Sequence, residues 1–181
     1  EGLPKHFSIM YSMPVWLVEW MLSGFGEEQT RAMLAFYKQV RPLSVRVNLS
    51  KITPKQLSLR LEEEGVRVRP GQYLPYALQI EDVDYLRKLP SFREGLFGVQ
   101  DESSMLAVEI AQIEKGMTVI DLCAAPGGKT FHAADLTGET GIVYAGDLTE
   151  YKTELIEENK QRYGFQQVAI RQWDAGVRQE E

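Results

Sequence analysis

Apolar positions recur along this chain with two different periods, and the change of period divides it. Residues 14–22 form a short apolar run with Pro14 in its first turn and Ser12 ahead as a possible cap, closed by Gly24 and Gly26. Over 27–40, Met33, Leu34 and Tyr37 fall on one helical face, and Pro42 ends the helix. The aromatic and methionine positions of this helical pair read as core. The period then becomes two, with Val45, Val47 and Leu49 alternating with Arg46 and Asn48, which predicts a strand. A well-marked helix start follows. Thr53 can cap, Pro54 fits the first helical position, Gln56 completes a capping box, and Ile52 can staple onto Leu57. Leu57 and Leu61 give the buried stripe, Gly65 the stop, and Val66 and Val68 open another strand.

Residues 70–76 (PGQYLPY) read as a turn or linker. From residue 96 strands and helices alternate. Strands are predicted at 96–100, 117–123, 142–148 and 167–173. Between them lie a helix capped by Asp101 that carries Met105, Leu106, Val108 and Ile110, a helix at 130–136, and one at 150–163 ended by Gly164. Such alternation implies parallel pairing in a Rossmann-like α/β sheet, and the near-continuous apolar strands imply cover on both faces. The expected division is residues 1–75, a helical pair plus a small α+β accessory domain, and residues 76–181, a parallel-sheet domain. No internal repeat or low-complexity segment is present.

Composition adds three bounds. The single cysteine, Cys123, excludes an internal disulfide. No apolar run reaches bilayer length and the first residues carry no signal pattern, so the expectation is a cytoplasmic protein with no membrane and no metal. The formal charge of −6 argues against nucleic acid, but it is uneven. Residues 1–75 hold 10 Lys and Arg against 7 Asp and Glu, whereas residues 76–181 hold 10 against 19. Arg41, Arg46, Lys51, Lys55, Arg67 and Arg69 therefore form either a solvated face or a surface for RNA phosphates.

The candidate chemistry lies in DLCAAPGGKT, residues 121–130. A loop of small residues between a buried strand and a helix lets a ligand approach the backbone, and the helix N-terminus offers unpaired amides. A nucleoside-triphosphate loop is excluded because Cys123 stands where its first glycine belongs and Pro126 removes a donor. A dinucleotide loop is excluded because Gly-x-Gly-x-x-Gly is absent. S-adenosyl-L-methionine remains, with its carboxylate on the loop amides. Asp147, 20 residues after Gly127, suits the ribose hydroxyls; Asp174 suits the adenine amino group; Asp121 suits the sulfonium and amino end.

The motif VIDLCAAPGGKT resembles the first cofactor motif of the Sun-type (NOL/NOP/Sun) RNA cytosine-5 methyltransferases. GLFGVQDESSMLA, residues 95–107, is similar to the segment that precedes it there, and RPLSVRVNLSKIT, residues 41–53, to the family's accessory domain. The resemblance spans nearly the whole chain. It implies cofactor contact by Cys123, Ala124, Ala125, Pro126, Gly127, Gly128 and Lys129, with Asp147 on ribose and Asp174 near adenine. It also implies a reaction in which a cysteine thiolate adds to C6 of cytosine, C5 takes the methyl group, and a base removes the C5 proton. In that family the working cysteines sit in Asp-Ala-Pro-Cys and Thr-Cys segments beyond the third strand. Neither segment occurs here, so no catalytic residue is expected in this chain, and Cys123 is read as a binding residue. His132, the histidine nearest in sequence, is expected to face its helix surroundings.

The expectation is thus a Rossmann-like methyltransferase half-domain that stops after its third strand, leaving its first strand as an open parallel edge. Its function would be that of an RNA cytosine-5 methyltransferase, on rRNA or on tRNA, present as an inactive fragment. A non-catalytic RNA-binding or ribosome-associated protein of the same fold is the alternative, and a small-molecule methyltransferase is disfavoured by the basic accessory segment.

Overall fold

The structure is a computed structural model that describes residues 2–39 and 41–177. The expected helix end at Val40 and the final residues 178–181 lie outside them. The chain forms two compact units, residues 1–41 and 42–181.

The first unit is a helical pair, α1 (Leu3–Tyr11) and α2 (Val15–Tyr37). Helix α1 was not expected from the pattern. It forms because Phe7 finds a core with Val18, Met21 and Leu34, and all four are buried. Ser12 does not cap α2. It ends α1 in a left-handed conformation at φ 55°. The expected break at Gly24 and Gly26 is a kink at Gly26, and the helix continues to Tyr37.

The second unit opens with a four-stranded antiparallel sheet in the order β2-β3-β1-β4. Its strands are β1 (Leu43–Val47), β2 (Arg67–Pro70), β3 (Ala77–Glu81) and β4 (Phe97–Val99). Helix α3 (Pro54–Glu63) joins β1 to β2, and a short α4 (Pro90–Arg93) precedes β4, giving the split β-α-β order of a ferredoxin-like sheet. The capping box at Thr53 and Gln56 is formed on both sides. Leu57 and Leu61 are fully buried against Val45, Val47 and Ile80, worth about 1.5–3 kcal/mol each.

The expected boundary at 75/76 does not coincide with an edge of this sheet. Of residues 70–76, Pro70 ends β2 and the other six are the connection between two paired strands, β2 and β3, and β4 is also part of the accessory sheet. The buried carboxylate of Glu102 fixes the connection, accepting from the amides of Gln72 (2.7 Å), Tyr73 (2.7 Å) and Leu74 (3.0 Å). Those three bonds outweigh the cost of its burial and hold Glu102 below the usual carboxylate range.

Beyond α5 (Glu102–Ile110), β5 (Thr118–Asp121), β6 (Ile142–Asp147) and β7 (Val168–Gln172) form the expected parallel sheet, in the order β5-β6-β7. Helices α6 (Gly128–Thr137) and α7 (Glu150–Tyr163) connect them. Phe131, Val143, Ala145, Ile156 and Val168 make the core. Cover on both faces, expected from the apolar strands, is not found. Ile120 and Tyr144 are exposed, and they stand opposite each other in register, so one face of the sheet is open.

Candidate cofactor site

The loop between β5 and α6 is held from three sides. From β5, Asp121 accepts from the Cys123 amide (3.3 Å) and from the Thr130 hydroxyl (2.7 Å), tying the loop's start to the first turn of α6. From β6, Asp147 accepts from the amides of Ala125 (3.0 Å) and Leu148 (2.8 Å) and from Lys152 Nζ (2.8 Å). From α7, Asn159 donates to the Pro126 carbonyl (3.0 Å). The Ala125–Pro126 peptide is cis. Gly127 adopts φ 109°, and a Cβ there would stand 2.1 Å from the Phe131 ring, so only glycine fits.

Burial alone would raise the pKa of Asp147. The Lys152 ammonium and the two amides outweigh it, and the carboxyl is held below its ordinary value. Asp147 is therefore ionised at neutral pH and already has three donors of its own chain. A ribose placed there must compete with Lys152.

The loop borders a cavity of about 330 Å³ lined by all seven residues Cys123 to Lys129. The opposite wall comes from Val99, Gln100 and Asp101 at the end of β4 and from Ser104 on α5. Asn159 and Arg162 of α7 close one side. Arg162 is spent on structure. It donates to the carbonyls of Phe92 and Phe97 (3.0 Å each) and to Asn159 Oδ1, and stacks on Phe92 and Tyr163. Asp121, Asp147 and Asp174 are not in this lining. Asp174 is exposed beyond β7, where it accepts from the Gly176 amide (2.8 Å).

The thiol of Cys123 is exposed. His132 is buried and its pKa is pushed down to about 3, first by burial and then by Arg46, so its imidazole is neutral. Among the described residues no group of His, Cys, Asp and Glu is arranged to hold a metal, and no helix is long and apolar enough to cross a membrane.

The basic residues separate into different environments. Arg46 is a correction to the expected RNA-binding set. It is 2% exposed, and its guanidinium donates to Asp135 (2.9 Å), Gln100 Oε1 (3.1 Å) and the Val47 carbonyl (3.2 Å). The alternation that made β1 a strand turns Arg46 inward, where α6 supplies its counter-charge. Lys51 donates to the carbonyls of Glu94 (2.7 Å) and Arg162 (3.2 Å). Arg67 pairs with Asp82 and Glu81, and Arg69 with Glu81, though both remain exposed. Arg41 stacks on Phe36 at 3.6 Å, and Lys55 is exposed. Sequence reasoning missed Gln100, Lys152 and Asn159. Gln100 had a signal, its place in the quoted 95–107 segment; Lys152 and Asn159 lie on an α7 whose polar face gave none.

The accessory sheet and the parallel sheet with its glycine-containing loop define a Rossmann-like methyltransferase module joined to a ferredoxin-like domain. Residues 108–180 match the family described as 16S rRNA methyltransferase RsmB/F, and residues 13–84 the RsmF/B-like, ferredoxin-like domain. The two matches together take in most of the chain, and both are to domains of RsmB/F-type methyltransferases. The ribosomal RNA small subunit methyltransferase B of Vibrio cholerae is 32% identical over 166 residues, 90% of this chain and 38% of that protein. The chain thus spans well under half the length of the curated relatives it matches. The crystal structure of PH0851 superimposes with a TM-score of 0.79 at 30% identity, covering 94% of this chain and 39% of its own. That of NSun6 from Pyrococcus horikoshii with SFG gives 0.76 at 20% identity, covering 87% and 64%, and shows the shared fold.

Proposed function

We propose that this chain is the cofactor-binding part of an S-adenosylmethionine-dependent RNA cytosine-5 methyltransferase acting on small-subunit rRNA in the cytoplasm. The observation that carries it is the loop Cys123 to Lys129, pinned under α6 by Asp121 and Asp147 in a chain whose domains match this family. The NSun6 structure contains SFG, an analogue of S-adenosylmethionine, which supports the same cofactor here. The residues fit it. The first amides of α6 lack intrahelical partners and suit an anion, and Asp147, ionised but outside the cavity lining, is read as the acceptor for ribose hydroxyls. Asp174 is read as the partner of the adenine amino group and Asp121 as an acid near the sulfonium end, though neither lines the cavity along Cys123 to Lys129. The cofactor supplies the methyl group. This chain's residues bind and orient it, while the thiolate that attacks cytosine is not Cys123, which lines the cofactor cavity.

Titration calorimetry with S-adenosylmethionine tests the assignment. Asp147→Ala is expected to weaken binding at least about tenfold, the loss of charge-assisted bonds to ribose. Unchanged affinity would remove Asp147 from the site. A chain that binds RNA but no cofactor would favour the non-catalytic alternative.

RNA binding is expected to be weak and salt-sensitive, through Arg41, Lys51, Lys55, Arg67 and Arg69. Charge reversal at Arg41 and Lys55 together should flatten the slope of log K against log salt by about 1.4, at roughly 0.7 per single-strand phosphate contact. A binding curve indifferent to salt would make the basic run a solvated face. Comparing rRNA with tRNA fragments under the same salt separates the two substrates.

A further inference from the structure

We propose that Gln100 is a cofactor-binding residue whose side-chain amide donates to the amino-acid carboxylate of S-adenosylmethionine. The proposal rests on the cofactor reading above. Gln100 is 7% exposed and lines the cavity beside the loop. Its oxygen accepts from Arg46 Nε at 3.1 Å. Arginine only donates, so this contact fixes which way the amide lies. Arg46 is itself locked by Asp135 and the Val47 carbonyl, so the amide is not free to turn. The remaining group, Nε2, is buried and has no hydrogen-bond partner.

A buried donor without a partner is costly, and a carboxylate is among its strongest partners. The surroundings select such a ligand. Gln100 Cγ lies 4.0 Å from where a Cβ on Gly128 would stand, so the side chain sits against the N-terminus of α6. The unpaired amides of that helix favour an anion. Lys129 adds a cation, and Asp101 adds an anion to the same lining. The lining also holds Arg162, whose donors go to the Phe92 and Phe97 carbonyls and Asn159; with Lys129 and Asp101 both present, the cavity offers charges of both signs to a zwitterionic amino-acid end. Asp101 is then the counter-charge for the ammonium, a role expected of Asp121. Asp121 is outside the cavity, and its carboxylate already accepts from Thr130 and Cys123.

Gln100 belongs to the end of β4, with its backbone amide bonded to the Ser44 carbonyl (3.2 Å). The accessory sheet therefore supplies one wall of the cofactor site.

The test compares two ligands that share adenosine and the thioether: S-adenosylhomocysteine, which carries the amino-acid carboxylate, and 5′-methylthioadenosine, which lacks it. Gln100→Glu keeps an acceptor for Arg46 but replaces the amide donor with a carboxylate oxygen. Calorimetry should show S-adenosylhomocysteine weakened at least about tenfold and methylthioadenosine changed by less than about twofold. Gln100→Met, which adds no charge, should show the same selectivity and serves if the glutamate variant does not fold. Equal losses for both ligands, or none for either, would overturn the proposal. A wild-type chain that binds both equally would overturn it alone, whereas one that binds neither would overturn the cofactor reading beneath it.

Discussion

Replacing Arg46 by methionine is expected to cost about 3–5 kcal/mol of folding stability, the range for breaking a buried ion pair by removing one partner. The magnitude follows from what the substitution leaves behind. The side chains of Arg46 and Asp135 are 3% and 4% exposed. Asp135 also accepts from the amides of Leu49 (3.0 Å) and Ser50 (3.0 Å), so its carboxylate cannot swing out to water without releasing the turn after β1. Methionine fills the stem's volume but supplies no counter-charge. Arg67→Met is the control. Its side chain is 65% exposed, and its pairs with Asp82 and Glu81 are in solvent, where such bridges contribute about 0–1 kcal/mol. Urea denaturation of both variants measures the difference. Equal losses would mean that Asp135 finds another donor, and the linkage between the accessory sheet and α6 would lose its energetic basis.

Arg46 also shows what the sequence could and could not convey. Strand β1 was legible from its alternation, but alternation says only that Arg46 and Val45 face opposite ways. A strand whose sheet is covered on both faces buries both sets of side chains, and the charge on the second face here finds its partner 89 residues away, on α6. No local signal carries that distance. The parallel order β5-β6-β7 and the loop between β5 and α6 were legible because each rests on local chemistry, apolar strands and a distinctive run of small residues. Strand β3 was not, because the seven residues before it hold the prolines and glycine of a turn and drew the boundary there. What makes them a hairpin connection is Glu102, a residue of a later helix. The open face at Ile120 and Tyr144 was misread for a related reason. Apolar side chains signal what a face requires, and not whether a covering element is present in the chain.

Gly95→Ala is expected to cost about 2–5 kcal/mol, from two terms that a second glycine separates. Gly95 adopts φ 69°, where a Cβ costs about 1–2 kcal/mol against the backbone's own carbonyl. A Cβ there would also stand 2.0 Å from the Arg162 carbonyl oxygen and 3.0 Å from the Tyr163 Cα. Those atoms are the backbone of α7's last turn, which no rotamer change can move aside. Overpacking of this kind adds about 1–3 kcal/mol. The contact lies where the accessory sheet meets the parallel-sheet half of the unit. Asn48 bridges the same place, donating to the carbonyls of Gly95 (2.9 Å) and Tyr163 (3.4 Å). Gly65 has a similar φ of 82° but nothing within 4 Å of its would-be Cβ. Gly65→Ala should therefore lose only the conformational term, about 1–2 kcal/mol. Thermal or urea unfolding of the pair isolates the packing term by difference. If both alanines cost the same, α7 yields to the intruding methyl group, and the junction between the two sheets is softer than its close approach implies.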